Sequence, residues 1–225
     1  MRVPWLDKEA IARQAEGLIG DYEAMMGRRV APPIPVEDVV ERFLGLDLTY
    51  ENLDEKLGMD DVLGATYVRS KRISINRRLL EDKSEGRLVF TCAHEVGHWV
   101  LHRRLVEEAV RRERLQEAIV CRARNAREPV EWQADYFASC LLMPAPEMKE
   151  AFFMVCPSGK LFLDNVKSAL GGTAVCIDPC VKNWHFIADM VRESGRFTNV
   201  SKEAVAFRME ELGLLINRTG ARLGW

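Results

Sequence analysis

The chain has 225 residues, of which 48% are hydrophobic and 29% are charged. This composition excludes an intrinsically disordered chain, and the length suits one large domain or a domain with a small appendage. The formal net charge of -2 gives no general attraction to nucleic acid or to an anionic membrane surface. The polar N-terminus lacks an apolar h-region and no run approaches the ~18 apolar residues of a membrane helix, so a cytoplasmic location is expected. The six scattered cysteines are expected to be reduced.

The first part of the chain predicts two helices followed by a small sheet. Apolar residues at helical spacing follow Asp7, a predicted N-cap, and stop before the segment "APPIP". A shorter helix is predicted for "VEDVVERFLG", with Pro35 in its first turn and Gly45 at its end. The runs "LDLTY", "GATYV" and "RISIN" are rich in alternating or β-branched residues, so they predict strands of a small antiparallel sheet.

Two long apolar helices are predicted after the sheet. The segment "GRLVFTCAHEVGHWVLHRRL" spaces its apolar residues for one helical face. The segment "PVEWQADYFASCLLMP" predicts the other helix, with Pro129 in the first turn and an end before Pro144. Residues 105–127 between them are helical in propensity but dense with charges of both signs, which predicts an exposed helical insertion.

The C-terminal part predicts a helix, a turn, a second helix and a short wing-like strand. Ser201 can cap the second helix in the manner of a DNA-reading helix-turn-helix. Residues 182–225 contain seven Lys or Arg and five Asp or Glu, which is too balanced for a phosphate-binding face. Lys202 and Arg208 are expected at the surface, and specific DNA binding is not expected.

Three of the four histidines lie in "FTCAHEVGHWVLH", and their spacing predicts a metal site. Residues four apart on a helix lie one above the other, so His94 and His98 can direct their imidazoles at one zinc ion. Glu95 can reach a water beside that ion without becoming a ligand, which is the place of the general base in an HExxH motif. His102 lies roughly 12 Å along the axis from His94, too far to share the ion, and is expected to be a hydrogen-bonded structural or rim residue.

A zinc site needs a third protein ligand, and the second long helix offers one. Glu131 and Asp135 lie four apart in "EWQAD", so one carboxylate can bind zinc while the other accepts a hydrogen bond from a ligand histidine. Glu131 is the predicted ligand. A solvated acidic face is the alternative, but the neighbouring Ala134 and Phe137 favour partial burial of these acids.

Together the two helices resemble the ImmA/IrrE family of metallopeptidases, whose members pair an HExGHxxLH helix with an ExxA[ND]xFAxxLLMP helix. The resemblance extends over about residues 35–216 and includes "RISINRRL" and "NVSKEAVAFRMEELGLL". In this family the positions that match His94, His98 and Glu131 bind zinc, and the position that matches Glu95 serves catalysis. Asp135 matches the position that orients a ligand histidine.

These residues and the resemblance imply an α+β, zincin-like metallopeptidase domain over 1–160 and a helix-turn-helix-like subdomain over 161–225. They imply a zinc-dependent endopeptidase of the gluzincin type, with HExxH plus a glutamate ligand. By resemblance, its substrate is a helix-turn-helix transcriptional repressor, whose cleavage releases stress-response or mobile-element genes. The "RISIN" strand is expected to hold the substrate as an added strand.

Two other functions stay open at this point: a DNA-binding regulator that keeps zinc for structure, and a sensor that binds a repressor without cutting it. A second, closed zinc site is a further possibility, because thiolates with one imidazole suit structural zinc. Its candidate ligands are Cys156, Cys176, Cys180 and His185. Such cysteines more often serve as small buried hydrophobes.

Overall fold

The computed structural model describes residues 3–81, 85–111, 118–122, 128–163, 175–177 and 181–218. The chain divides into two compact units, one comprising Met1–Val30 and Ile34–Leu142, the other Ala31–Pro33 and Met143–Trp225. The predicted boundary near residue 160 stays a prediction. None of the described helices combines the length and apolar character that a membrane span requires.

The described elements give an α+β protein, as predicted. The helices of the first unit are α1 (Lys8–Met26), α2 (Val36–Asp38), α3 (Leu53–Leu57), α4 (Glu85–Arg111) and α5 (Pro129–Leu142). Its strands are β1 (Asp47–Glu51), β2 (Val62–Tyr67), β3 (Arg72–Asn76) and β4 (Ala118–Arg122). A π-helical turn (Val39–Phe43) continues α2, and a 3-10 turn (Arg77–Leu80) follows β3. The second unit contains α6 (Ala145–Val155), α7 (Val181–Ser194), α8 (Lys202–Glu211), β5 (Leu161–Leu163), β6 (Val175–Ile177) and β7 (Leu215–Asn217).

Helix α1 begins at the cap that the sequence predicted. The carboxylate of Asp7 accepts a 2.6 Å hydrogen bond from the backbone N–H of Ala10, which satisfies one of the free donors of the first turn. The helix ends at Gly27, whose φ of 66° is the left-handed conformation that favours glycine. Its apolar face packs on α5 and consists of Ile11, Ala15, Leu18 and Tyr22.

The sheet of the first unit is mixed, in the order β1-β3-β2-β4. Strand β2 is antiparallel to β3 and β4, whereas β1 is parallel to β3. The prediction of an antiparallel sheet is therefore wrong for one pairing, because β1 lies beside the second strand of the β2–β3 hairpin rather than the first. Since β3 is an inner strand with both edges paired, the expectation that "RISIN" holds an added substrate strand is also wrong.

The segment between the two long helices differs from the helical insertion predicted over 105–127. Helix α4 continues to Arg111, and β4 pairs with the outer edge of β2. The sequence of β4 begins Ala-Ile-Val, and pairing with β2 satisfies its backbone groups, so tertiary structure overrides helical propensity here. Residues 112–117 and 123–127 lie outside the described part of the chain.

Helix α4 is buried on every side over residues 91–99. A helix without a solvent-facing side must lie between two layers, and α4 packs against β2, β3 and α5. The contact with α5 is very close: a Cβ added at Gly97 would lie 3.1 Å from both the Cα and the carbonyl oxygen of Ala134. This approach brings the histidine-bearing turns of α4 against the first turns of α5.

In the second unit, α7 packs on α6 and α8, and α8 packs on β7. The described order of helix, turn, helix and strand agrees with the sequence prediction, while a helix-turn-helix function stays a prediction. Ser201 caps α8, its side chain accepting a 3.1 Å hydrogen bond from the N–H of Ala204. Strand β5 is parallel to both β6 and β7; the sequence did not predict β5 or β6, which have only three residues each.

Arg208 on α8 also differs from what its sequence predicted. The side chain was expected at the surface, but the residue is buried. Its Nε donates to the carbonyl oxygen of Met143 at 3.1 Å, and another guanidinium nitrogen donates to Oε2 of Glu211 at 3.1 Å. These partners compensate the cost of burying the cation. No local sequence pattern predicts that Arg208 is buried.

The close approach at Gly97 leads to a first prediction about stability. Gly97→Ala is expected to destabilise the first unit by ~1–3 kcal/mol, because the added methyl group overpacks a contact with backbone atoms. Gly17→Ala is the matched control, since this exposed glycine of α1 has no atom within 4 Å of an added Cβ. The control should gain up to about 1 kcal/mol from helix propensity. Denaturant unfolding measures both variants, and equal stabilities would contradict the close packing.

Candidate metal centre

The three predicted metal ligands meet on facing turns of α4 and α5. The Nε2 atoms of His94 and His98 are 2.9 Å apart. The carboxylate of Glu131 places Oε2 at 3.2 Å from Nε2 of His94 and Oε1 at 3.6 Å from Nε2 of His98. All three side chains are buried, and the group could hold one metal ion.

The charge of Glu131 suits a cation. Burial by itself would raise the pKa of this carboxyl, but the imidazoles of His94 and His98 beside it lower it to about 2. The residue also lies in the first turn of α5, where the helix dipole favours a negative charge. Glu131 therefore carries a negative charge at neutral pH although it is buried.

Asp135 lies one helical turn beyond Glu131 and contacts the other side of His94. Its Oδ1 is 2.7 Å from Nδ1 of His94. A carboxylate only accepts hydrogen bonds, so it favours a proton on Nδ1, and Nε2, which faces Glu131 and His98, is the nitrogen that a metal would use. The structure thus brings Asp135 to the place that the spacing of four residues predicted.

Glu95 is fully buried between α4 and strand β2. Its Oε2 accepts a 2.6 Å hydrogen bond from the hydroxyl of Thr66, whereas Oε1 has no partner among the described atoms. A Cβ added at Gly64 would lie 2.9 Å from Cδ of Glu95, so the carboxylate occupies the space that a side chain at residue 64 would need. Burial raises the pKa of Glu95 to about 8. The group is therefore suited to take up a proton near neutral pH.

Gly64 and Thr66 lie at the site although their sequence context did not predict a role there. A signal for Gly64 exists, because a glycine inside a strand often marks a place where another group approaches the backbone closely. Thr66 carries no comparable signal, since threonine is common in strands for its β-branched shape alone.

Cys121 on β4 also lies beside the metal centre. Its sulfur, one nitrogen of His94 and one carboxylate oxygen of Glu95 lie within 4.8 Å of one another. Burial raises the pKa of this thiol to about 12, so the group is neutral at physiological pH in the metal-free protein. Sequence patterns did not point to Cys121, because they predicted a helical insertion for this segment.

The second zinc site stays a prediction. Cys180 and the side chain of Cys176 lie outside the described part of the chain. The other two candidates have different partners: Sγ of Cys156 is 3.1 Å from Oγ of Ser158, and Nε2 of His185 is 3.6 Å from a carboxylate oxygen of Glu203.

Glu95 leads to a prediction for the metal-free protein. Its folded pKa of about 8 exceeds the ordinary value of 4.5, so on raising the pH the unfolded chain releases this proton first. The contribution of Glu95 to stability is therefore complete below pH 4.5 and is lost as the pH rises through about 8. The limiting slope for one proton is ~1.4 kcal/mol per pH unit.

The matched variant is Glu95→Gln, which keeps the shape of the side chain and removes its titration. The free energy of unfolding, measured with denaturant in the metal-free state, should fall less steeply with pH in this variant than in the parent. Glu131 does not contribute to this difference between the variants. Its pKa is lowered to about 2, so its contribution to stability is lost only as the pH falls below 4.5. Identical pH profiles would contradict a raised pKa for Glu95.

The segment that forms this site also matches a known family. Residues 44–154 match the model of a peptidase family described as the IrrE N-terminal-like domain. A search of curated proteins found no match to the chain. The matched segment contains His94, His98, Glu131 and the described strands and helices that hold them. Over residues 44–154 the chain is a member of the ImmA/IrrE family of metallopeptidases.

Proposed function

We propose that this protein is a zinc-dependent endopeptidase that cleaves a helix-turn-helix transcriptional repressor. One observation carries the catalytic part of the proposal: the buried cluster of His94, His98 and Glu131 lies beside the buried carboxylate of Glu95. Three protein ligands leave one position of a tetrahedral zinc site open, which is the arrangement of catalytic sites. Structural zinc sites are closed by four protein ligands instead.

The donor set suits zinc. Two imidazole nitrogens and one carboxylate oxygen are common zinc ligands, and an imidazole binds a metal only in its neutral form. Burial lowers the pKa of His98 to about 4, so this ring is neutral at physiological pH. When bound, a zinc ion would supply Lewis-acid chemistry, polarising the scissile carbonyl and making a water molecule more acidic.

Glu95 is the proposed general base. Thr66 holds one oxygen of the carboxylate, so Oε1, which has no partner among the described atoms, is the oxygen that can take a proton from the attacking water. The same oxygen can then deliver the proton to the leaving amine. In the metal-free protein burial raises the pKa of Glu95 to about 8, and a pKa near the operating pH suits a group that takes up and returns a proton.

A substrate strand has a place at β4. This strand ends the described sheet, and its outer edge has no partner among the described strands. Cys121 on β4 lies beside His94, so an extended peptide paired with β4 would pass close to the metal centre. This edge takes the place of "RISIN", which is an inner strand. The repressor itself is proposed from the family resemblance.

The alternative is a regulator that binds DNA or a repressor and keeps zinc for structure or sensing. Two features make it the weaker candidate. A structural zinc does not require a buried, partly unpaired carboxylate beside its ligands, yet Glu95 occupies that position. Arg208, one of the cations expected on α8, is buried against Met143 and Glu211 and therefore does not present its charge to a duplex.

The role of Glu131 as third ligand gives a prediction about metal content. Glu131→Ala should weaken Zn2+ binding by more than the ~10–100-fold that loss of an outer hydrogen-bond partner costs. Glu128→Ala is the matched control, because Glu128 is an exposed acid at the start of the same helix. Zinc content after dialysis and competition with a chelator measure the effect. Equal zinc affinity in the two variants would reject Glu131 as a ligand.

The catalytic proposal is tested with purified helix-turn-helix repressors of the same organism, beginning with any that is encoded beside the gene for this protein. The zinc-loaded parent should cleave the repressor, whereas Glu95→Gln should retain zinc and lose ~10²–10⁴-fold in rate, because the amide cannot accept the proton. Mass spectrometry of the products gives the scissile bond, and metal analysis verifies equal zinc content. Undiminished cleavage by Glu95→Gln would remove Glu95 from the mechanism, and cleavage of unrelated peptides alone would reject the repressor as substrate.

A further inference from the structure

His102 begins a chain of buried hydrogen bonds that leads away from the metal centre. Its Nδ1 is 3.1 Å from Nδ1 of His98, and its Nε2 is 3.0 Å from Oε1 of Gln133. The amide nitrogen of Gln133 donates to the carbonyl oxygen of Pro4 at 2.9 Å. His102 and Gln133 are fully buried, and the proposed peptidase chemistry assigns neither of them a role.

The chemistry of the donors and acceptors gives each bond one direction. The carbonyl of Pro4 only accepts, so the NH2 group of Gln133 faces it and the amide oxygen faces His102. That oxygen also only accepts, so His102 carries its proton on Nε2. Its partners, an amide oxygen and an imidazole, bear no formal charge that would favour a second proton.

The same reasoning extends to the metal ligand. A neutral imidazole protonated on Nε2 has an unprotonated Nδ1, which must accept its hydrogen bond from His98. His98 is therefore protonated on Nδ1. Its Nε2, the atom that faces His94 and Glu131, is left with a free lone pair, as a metal ligand requires.

We propose that His102 and Gln133 are positioning residues, which hold His98 in the tautomer and orientation that direct Nε2 at the metal. The proposal rests on the metal site of the proposed function, but the tautomers themselves do not depend on bound metal. The chain of bonds ends at the segment before α1. Trp5 in that segment stacks on Trp132 of α5 at 5.0 Å between ring centroids, which helps to hold the carbonyl of Pro4 near Gln133.

The two metal-binding histidines are thus supported in different ways. His94 has a carboxylate partner, Asp135, whose side chain is 40% exposed and can remain hydrated. His98 and its partners are buried, so a carboxylate at that place would need to be desolvated beside the negative charge of Glu131. A neutral histidine and a neutral amide give the same orientation without adding a buried charge.

The tautomers can be measured directly by NMR of protein labelled with 15N at histidine. The chain has only four histidines, so substitution of His185 and His102 assigns their signals. In the metal-free protein, His102 should show a protonated Nε2 and an unprotonated Nδ1, while His98 should show a protonated Nδ1. The same tautomer of His102 should persist in the zinc-loaded protein. A His102 that is protonated on Nδ1 would overturn the proposal.

Two variants of His102 test whether its hydrogen bond with His98 strengthens metal binding. His102→Asn can place its carbonyl oxygen where Nδ1 accepts from His98, whereas His102→Leu offers no acceptor. Chelator competition should show a ~10–100-fold loss of Zn2+ affinity for His102→Leu and a much smaller loss for His102→Asn. Glu128→Ala, which removes an exposed acid at the start of α5, is the control and should leave the affinity unchanged.

Folding is checked separately, by circular dichroism and thermal unfolding of the metal-free variants. If His102→Leu does not fold, Gln133→Met replaces it, because the thioether keeps the size of the side chain and removes the amide. Unchanged zinc affinity in a folded variant of either kind would overturn the proposal. A parent protein that binds no zinc would instead reject the proposed function. The tautomers in the metal-free protein would still test whether His102 and Gln133 position His98.

Discussion

The close packing of α4 on α5 is the constraint on which the metal centre depends. His94 and His98 lie together because of helix geometry alone, but neither can meet Glu131 unless the two helix axes approach closely. Gly97, between the two histidines, permits this approach by leaving room for the backbone of Ala134. The small residues Gly97 and Ala134 therefore determine how closely the histidines of α4 approach Glu131 of α5.

The surroundings of the two buried glutamates of this site give them opposite properties. Glu131 lies beside two imidazoles, which lower its pKa to about 2 and keep it anionic. Glu95 has one hydroxyl partner and is otherwise enclosed by α4 and β2, so desolvation raises its pKa to about 8. The same carboxyl group is suited to bind a cation at one position and to exchange a proton at the other, because only its surroundings differ.

Local sequence patterns determined much of the site and part of the fold. The spacing of four residues in α4 and again in α5 was enough to select His94, His98, Glu131 and Asp135 as candidates, because the periodicity of a helix depends only on residues close in sequence. The same holds for the cap at Asp7 and for the three strands predicted before α4. Family resemblance, later shown by the matching family model, added the peptidase chemistry that spacing alone leaves open.

Only the tertiary structure decided which distant segments meet. The position of β1 beside β3, the strand at β4 and the burial of Arg208 each depend on pairing or packing between segments far apart in sequence. The environment of the site has the same origin, since Thr66 meets Glu95 across 29 residues and Gln133 meets Pro4 across 129. Hydrogen-bond partners of this kind follow from how the layers pack, and the sequence of one element does not specify the neighbour that will cover it.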